Sequence, residues 1–338
     1  MNSNRYLGVD IGKNWFHIVG LDDHGKVVFR KKTDRAHLVP TITQLQATVI
    51  GMEACSGSHY FAARLTEVGH NVRLIPGQFV KPYRKAQKND FNDAEAIAEA
   101  VSRGNMRFSR VRSREELELQ AFHRARERVV REAVGQSNQI RAFLLEAGIA
   151  VPKSDLALGN RVAELLETED PKISPRLRRL LEILWTRSKE IKLTQRALNA
   201  ELQIVAKESD SCRRLLTIPG IGVVTATALV SAVGDAKQFR RGRDLAAWIG
   251  LVPRQLSTGG KAKLLGISKG GNPYLRRLLV HGARSTLAWG KLRDSRMLRW
   301  FKELCARVHP NVAVVALANK LARVSWAILT KEEIYSPT

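Results

Sequence analysis

The stretch Tyr6-Leu7-Gly8-Val9-Asp10-Ile11-Gly12-Lys13 decides the architecture of the first domain, read with Trp15-Phe16-His17-Ile18-Val19-Gly20-Leu21, Asp22-Asp23-His24-Gly25 and Lys26-Val27-Val28-Phe29-Arg30 that follow it. Residues 6–10 are a short apolar run with β-branched Val9, and 15–21 and 26–30 are two more runs split by an Asp-Asp-His-Gly turn signal. Three strands joined as a meander follow from this pattern. Beyond them the period changes: 36–47 reads as a helix, 48–53 as a buried strand, 58–68 as a helix, 71–76 as a strand and 90–103 as a helix with Ile97 and Val101 on one face. A meander followed by strands alternating with helices gives an α/β layer domain.

Because hairpins join its first strands, the order of this domain is ribonuclease-H-like rather than Rossmann-like. Residues 113–150 change character. Ser113-Arg-Glu-Glu116 is a capping-box pattern, and apolar positions recur from Leu119 to Ala147, interrupted at Arg126 and Gln136, before Pro152 ends the run. Ser174-Pro175 opens a second long helix whose stripe is Leu177, Leu181, Leu184, Ile191, Leu198, Leu202 and Val205. Two long helices suggest a coiled-coil arm, formed either between chains or as a helical hairpin within one chain. Residues 213–250 read as helix, Pro219-Gly220-Ile221-Gly222, helix, a helix-hairpin-helix pattern in which Gly220 and Gly222 let the backbone approach a phosphate. The bland alternative is a tight helix–helix turn. Helical patterns resume at 274–289 and 313–329. The expected division is 1–110, an α/β domain; 111–210, a helical arm; and 211–338, a mainly helical C-terminal domain.

The 338 residues carry 56 Lys and Arg against 32 Asp and Glu, a formal charge of +24. An isoelectric point near 10.5 calls for a polyanionic partner. The charge is segregated: residues 237–302 hold sixteen Lys and Arg and two acids, Asp244 and Asp294, a local excess of +14. An anionic membrane is the rival partner, but there is no basic amphipathic helix with a bulky aromatic face, and no apolar run approaches the ~18 residues of a membrane span. The N-terminus lacks a signal-peptide core. Aromatics at 6% argue against a β-sandwich, and apolar residues at 44% suffice for real cores. Cys55, Cys212 and Cys305 are too far apart for a metal or disulfide framework, so buried, inert thiols in a reducing cytoplasm are expected.

Four acids are candidates for chemistry. Asp10 ends the first strand, Glu53 ends a later one, and Asp90 and Asp93 open a helix three residues apart, facing one way. Together they can form an oxygen cage for Mg2+ or Mn2+ that supports phosphodiester chemistry. Each acid alone reads equally as a turn, cap or dipole residue. Gly-x-Asp-x-Gly also opens the phosphate loop of sugar kinases, but no second glycine-rich phosphate loop appears in the right half of the chain, and a charge of +24 is unusual for a metabolite kinase. In the basic stretch, Ser257 and Thr258 precede Gly259 and Gly260 among Arg254, Lys261, Lys263 and Lys269. Glycines admit a phosphate and cations offset its charge, so Ser257 is either a nucleophile or one hydroxyl of a flexible basic loop that binds phosphate. Arg276 and Arg277 extend the same basic surface.

Six motifs in order, Gly8-Val-Asp-Ile-Gly-Lys13, Met52-Glu-Ala-Cys-Ser-Gly57, Lys88-Asn-Asp-Phe-Asn-Asp-Ala94, Ile218-Pro-Gly-Ile-Gly222, Gly250-Leu-Val-Pro-Arg-Gln-Leu-Ser-Thr-Gly-Gly-Lys261 and Gly266-Ile-Ser-Lys-Gly-Gly-Asn272, span nearly the whole chain. They resemble the DEDD transposases of the insertion-sequence 110 family, in its 1111 subgroup. The resemblance implies a RuvC-like domain with acids Asp10, Glu53, Asp90 and Asp93, a coiled-coil middle, and a C-terminal transposase domain whose catalytic serine maps to Ser257. Thr258 is the adjacent, more hindered hydroxyl. It further implies donor and target DNA as substrates, a structured guide RNA, dimers and tetramers with a composite active site, and a cytoplasmic, nucleoid-associated protein. Two other functions stay open on the residues alone: a RuvC-type junction endonuclease using the acids and water, and a non-catalytic nucleic-acid binder.

Overall fold

The computed structural model describes residues 5–45, 47, 49–85, 87, 89–288 and 296–336. They fall into two compact units, Met1–Ser113 and Arg114–Thr338. Trp289, Lys291, Arg293 and Asp294, parts of the expected helix and of the basic stretch, lie outside the described residues.

The first unit is a five-stranded sheet. Strands β1 (Tyr6–Ile11), β2 (Trp15–Leu21) and β3 (Val27–Asp34) form the expected antiparallel meander. After helix α1 (Leu38–Thr43) comes β4 (Val49–Glu53), then α2 (Ser58–Glu67), β5 (Val72–Ile75), the single turn α3 (Gly77–Val80) and α4 (Asp90–Val101). Strands β4 and β5 add parallel to β1, so the sheet order is β3-β2-β1-β4-β5. Helix α1 is shorter than the expected 36–47.

Strand alternation sorts the two faces of this sheet. Leu7, Val9, Ile50 and Met52 point to one face and pack with Phe61 and Leu65 of α2. Gly8 and Gly51, paired across β1 and β4, point to the other, where α4 lies. A Cβ at Gly8 would fall 2.0 Å from the Ala94 carbonyl oxygen, and one at Gly51 would fall 2.8 Å from the Val101 Cβ. The two glycines therefore let α4 press onto the strand backbones. Asp10 and Glu53, each two residues further on, share that face.

The second unit is mainly helical. It begins with α5 (Arg114–Glu146), α6 (Asp155–Glu167) and α7 (Pro175–Glu208), followed by α8 (Asp210–Leu216), α9 (Val223–Val233) and α10 (Gly242–Ile249). The hairpin β6 (Pro253–Thr258) and β7 (Lys261–Ile267) comes next, then α11 (Pro273–Ala288), α12 (Arg296–Cys305) and α13 (Pro310–Lys331). Helices α5 and α7 pack antiparallel against each other within the chain as a helical hairpin. The two polar interruptions of the α5 stripe make the cross-links: Arg126 Nε donates to Asn199 Oδ1 at 2.6 Å and Gln136 Nε2 to the Leu184 carbonyl at 3.0 Å. Leu181 is buried with Ile140, Leu144 and Leu158 of α5 and α6. Helix α6 was not read from the sequence.

The rest of the unit shares one core around Leu215, Leu229, Leu245, Leu279 and α13. Helix α13 is long and apolar enough to cross a membrane, but Ala313, Leu317, Leu321 and Ser325 along one side of it are buried in that core.

Candidate active site

Helix α4 starts where it does because Asn89 caps it, its side chain accepting from Phe91 N at 2.9 Å. Asp90 and Asp93 then occupy the first turn, where the helix dipole favours negative charge. The glycine crossing places that turn beside the end of β1. As a result Asp10, Asp90 and Asp93 each offer an oxygen within 4.8 Å of the others. Asp93 is buried, Asp10 half-buried and Asp90 exposed.

Glu53 is not part of this cluster. It ends β4 on the same face, but its carboxylate lies against Gly77, where a Cβ would meet Glu53 Oε1 at 2.4 Å. The structure thus gathers three of the four expected acids and leaves the fourth on the neighbouring strand end.

Two residues at the site were missed in the sequence. His17 stands directly opposite Asp10 in the β1–β2 register, is buried, and places Nδ1 3.6 Å from Asp90 Oδ2. Counting back through the hairpin would have found it. Arg84, just before α4, puts Nε 2.5 Å from Asp93 Oδ1. The ion pair is poorly directed, because neither buried atom makes an aligned hydrogen bond. Arg84 thus supplies positive charge at the carboxylate cluster.

Cys55 departs from the expected buried thiols: it is exposed beyond β4, while Cys212 is buried and Cys305 half-buried. Desolvation, then the charges of Glu53 and Asp10, raise the Cys55 pKa, so it remains a thiol near the acids.

The basic stretch holds a correction. The stretch read as a loop, with a flexible basic loop as the alternative to a nucleophile site, is the β6–β7 hairpin, closed by Gly259 and Gly260, both with positive φ, as a two-residue turn of this kind requires. Ser257 pairs with Ala262, Leu256 with Lys263, and Thr258 with Lys261. Directly paired residues share a face, and faces alternate along a strand. Ser257 therefore shares its face with Gln255, Ala262 and Leu264, while Lys261 and Lys263 lie with Thr258 on the other. The Gln255 side-chain amide donates to Ser257 Oγ at 2.8 Å.

Other expected phosphate contacts are engaged internally. Arg276 Nη1 donates to the carbonyls of Ile249 and Gly270, both at 2.8 Å, tying the end of the hairpin segment to α10. Arg277 pairs with Glu127 at 2.8 Å. Gly220 turns between α8 and α9 with φ 87° and packs against Gly282 of α11, whereas Gly222 is exposed at the start of α9. Arg254, Thr258, Lys261, Lys263 and Lys269 are exposed.

A sheet of this order, with carboxylates converging from its first strand and a helix start, is a DEDD nuclease-like domain, here joined to a helical unit. Residues 7–149 match a transposase model of the DEDD IS110 type, and residues 212–297 match the model described as transposase IS116/IS110/IS902 family. The chain is 41% identical over 330 residues to the transposase for insertion sequence element IS1328 of Yersinia enterocolitica, covering 98% of each protein. It is 42% identical over 342 residues to a probable family 20 transposase of Pseudomonas aeruginosa, covering all of both. It is 41% identical over 338 residues to the transposase for insertion sequence element IS1111A of Coxiella burnetii, covering 99% of this chain and 92% of that one. The chain belongs to the IS110 family of insertion-sequence transposases, and its substrate is DNA.

Proposed function

We propose that this transposase cuts and rejoins DNA with a carboxylate-held Mg2+ or Mn2+ and with Ser257 as nucleophile. The observation that carries the reading is the convergence of Asp10, Asp90 and Asp93 within 4.8 Å. An all-oxygen donor set suits a hard cation, and the buried Asp93 Oδ1 lacks an aligned donor. Asp10, Asp90 and Asp93 would hold the ion, with Glu53 turning in from Gly77 to complete the four-acid set. A bound divalent cation would supply Lewis-acid stabilisation of phosphate charge.

The chain's own residues set up the rest. Helix α4 holds two carboxylates at a fixed spacing, with His17 beside Asp90. Ser257 Oγ attacks a DNA phosphorus. The Ser257 hydroxyl gives up its proton as the Oγ–P bond forms, the bond to one strand oxygen breaks, and that oxygen takes up a proton and leaves as a strand-end hydroxyl. The hydroxyl of an incoming strand end then loses its proton and attacks the phosphoserine, the new O–P bond forms as the Oγ–P bond breaks, and the serine oxygen regains a proton. The Gln255 amide, already donating to Ser257 Oγ, favours charge on that oxygen. Acids from one subunit would serve the serine of another in a dimer or tetramer. The excess of basic charge supports binding of a polyanion, and on the family resemblance that polyanion would include a structured guide RNA that pairs with donor and target DNA, leaving sequence recognition to base pairing. Gly222, Arg254, Lys261, Lys263 and Lys269 would contact phosphates.

A second reading has one observation in its favour. Lys261 and Lys263 face away from Ser257, so the hairpin does not itself surround that hydroxyl with cations. An endonuclease using the acids and water would need no serine. The two mechanisms differ in product. The protein, incubated with end-labelled DNA of the element's own ends and resolved on a denaturing gel, should give a covalent adduct, with mass spectrometry placing it on Ser257. Ser257→Ala should abolish the adduct and keep DNA binding, and Thr258→Ala should retain partial activity. Cleavage without an adduct selects the water mechanism, and an adduct on Thr258 moves the nucleophile by one residue.

A further inference from the structure

Helix α13 is apolar on both sides. While one side is buried in the core, Val312, Val315, Ala316 and Val324 on the other line a cleft of about 1010 Å3. The walls are Leu265, Gly266 and Ile267 of β7 and Trp300 of α12. A helix apolar all round ordinarily has cover on all sides. Here the second side opens on a space large enough for a small-molecule-sized group.

The charges around the cleft say what chemistry fits. Arg241, Arg243, Lys320 and Arg323 line it, and no carboxylate does so among the described residues. Arg241 is paired with Asp244 at 3.3 Å, but Arg243 and Arg323 have no carboxylate partner among the described residues. Lys320 Nζ lies 4.2 Å from the Trp300 ring centre. Desolvation, then the charges of Arg296 and Arg323, lower its pKa, as expected of cations crowded together without an anion.

We propose that this cleft holds an unstacked nucleotide of a DNA strand, its base against the apolar side of α13 and its flanking phosphates on Arg243 and Arg323. An apolar peptide would leave the cations uncompensated, whereas each nucleotide brings a flat apolar face and a fixed negative charge. Pro253, at the base of the hairpin, also lines the cleft, and Ser257 lies four residues and about 13 Å further along β6. A nucleotide held here would therefore set the register of the strand against the serine. That consequence rests on the strand-transfer reading; the binding itself does not.

The test uses the full chain at fixed salt without divalent metal, with a short oligothymidylate carrying one 2-aminopurine and a duplex of the same length as probes. Single-strand binding should change the 2-aminopurine fluorescence. Ala316→Trp, which fills the cleft, should weaken single-strand binding about tenfold and change duplex binding less than about twofold. If Ala316→Trp does not fold, Arg243→Gln with Arg323→Gln, both at exposed positions, decides by the same measurement. Equal losses on single strand and duplex, or no loss, overturn the proposal. So does a change in oligomeric state with single-strand affinity intact, which would assign the cleft to a second copy. If wild-type protein forms no serine adduct yet shows the cleft-dependent signal, only the strand-transfer reading fails.

Discussion

A methyl group at Gly8 would lie 2.0 Å from the Ala94 carbonyl oxygen and 2.4 Å from Ala98 N, both backbone atoms of α4. Gly8→Ala must therefore lift α4 from β1 and carry Asp90 and Asp93 away from Asp10. We expect a loss of about 1–3 kcal/mol in a urea melt, together with weaker Mn2+ binding by calorimetry. A stability loss with unchanged Mn2+ affinity would show that the helix moves without disturbing the acids. Arg84 poses the opposite case, since its guanidinium competes with any cation for Asp93. Arg84→Met should tighten Mg2+ or Mn2+ binding by about fivefold, the equivalent of ~1 kcal/mol from a partly exposed ion pair. Unchanged or weaker binding would mean that Arg84 helps to build the site rather than occupying it. The acids themselves were legible because each sits at a strand end or helix start. Why α4 brings Asp90 and Asp93 up to Asp10 was written in Gly8-Val9-Asp10 and Gly51-Met52-Glu53, where a glycine two residues ahead of each strand-end acid shares its face and admits the helix. Arg84 was not legible, because a lone arginine before a helix carries no periodic signal.

At the scale of elements, the apolar residues of α7 lie both on its stripe, as Leu181 does, and off it, as Ile183 and Leu193 do. Leu181 is fully buried within the chain, whereas Ile183 is 67% exposed and Leu193 62% exposed. Leu181→Ala should cost about 2–5 kcal/mol in a denaturant melt. Ile183→Asp with Leu193→Asp should leave stability nearly unchanged and, if subunits associate through this surface, shift the mass measured by light scattering. Helix α5 also carries a pH dependence. Burial, then the charge of Arg126, pull His123 down to about 4 from 6.5, and its Nδ1 lies 3.0 Å from the Tyr274 hydroxyl of α11. Between those two values the unfolded chain binds a proton that the folded chain does not. Stability should therefore fall as pH drops through that window, by roughly 3 kcal/mol at most. Urea melts across the window should show this, and His123→Phe should remove that share of the slope. The elements missed in the sequence have physical reasons. Every residue of β6 is exposed, so no buried face gave β6 a two-residue hydrophobic rhythm, and only Gly259-Gly260 betrayed the hairpin. Arg126 and Gln136 interrupted the α5 stripe because they face α7, a distinction between solvent and partner that residue type alone does not make.

For the whole molecule, the formal charge of +24 predicts that log K for DNA falls roughly linearly with log salt. Replacing Lys261 and Lys263, which are exposed, should flatten that slope by roughly two, whereas replacing Arg276 should chiefly reduce stability, because its guanidinium holds two carbonyls. A slope unchanged by the lysine substitutions would move the contact surface elsewhere. The six motifs include the acids of the cluster and the β6–β7 hairpin, but do not show which side of a strand each residue occupies; that depended on register. The β6–β7 ribbon has one more consequence. It has only two strands, and such a ribbon is marginal until something lies along it. On the strand-transfer reading, the cutting group is thus mounted on the least self-sufficient piece of the fold. An enzyme built this way would be disarmed while idle, its nucleophile gaining a fixed aim only from the substrate it is about to cut. The weapon would then be assembled only at its target.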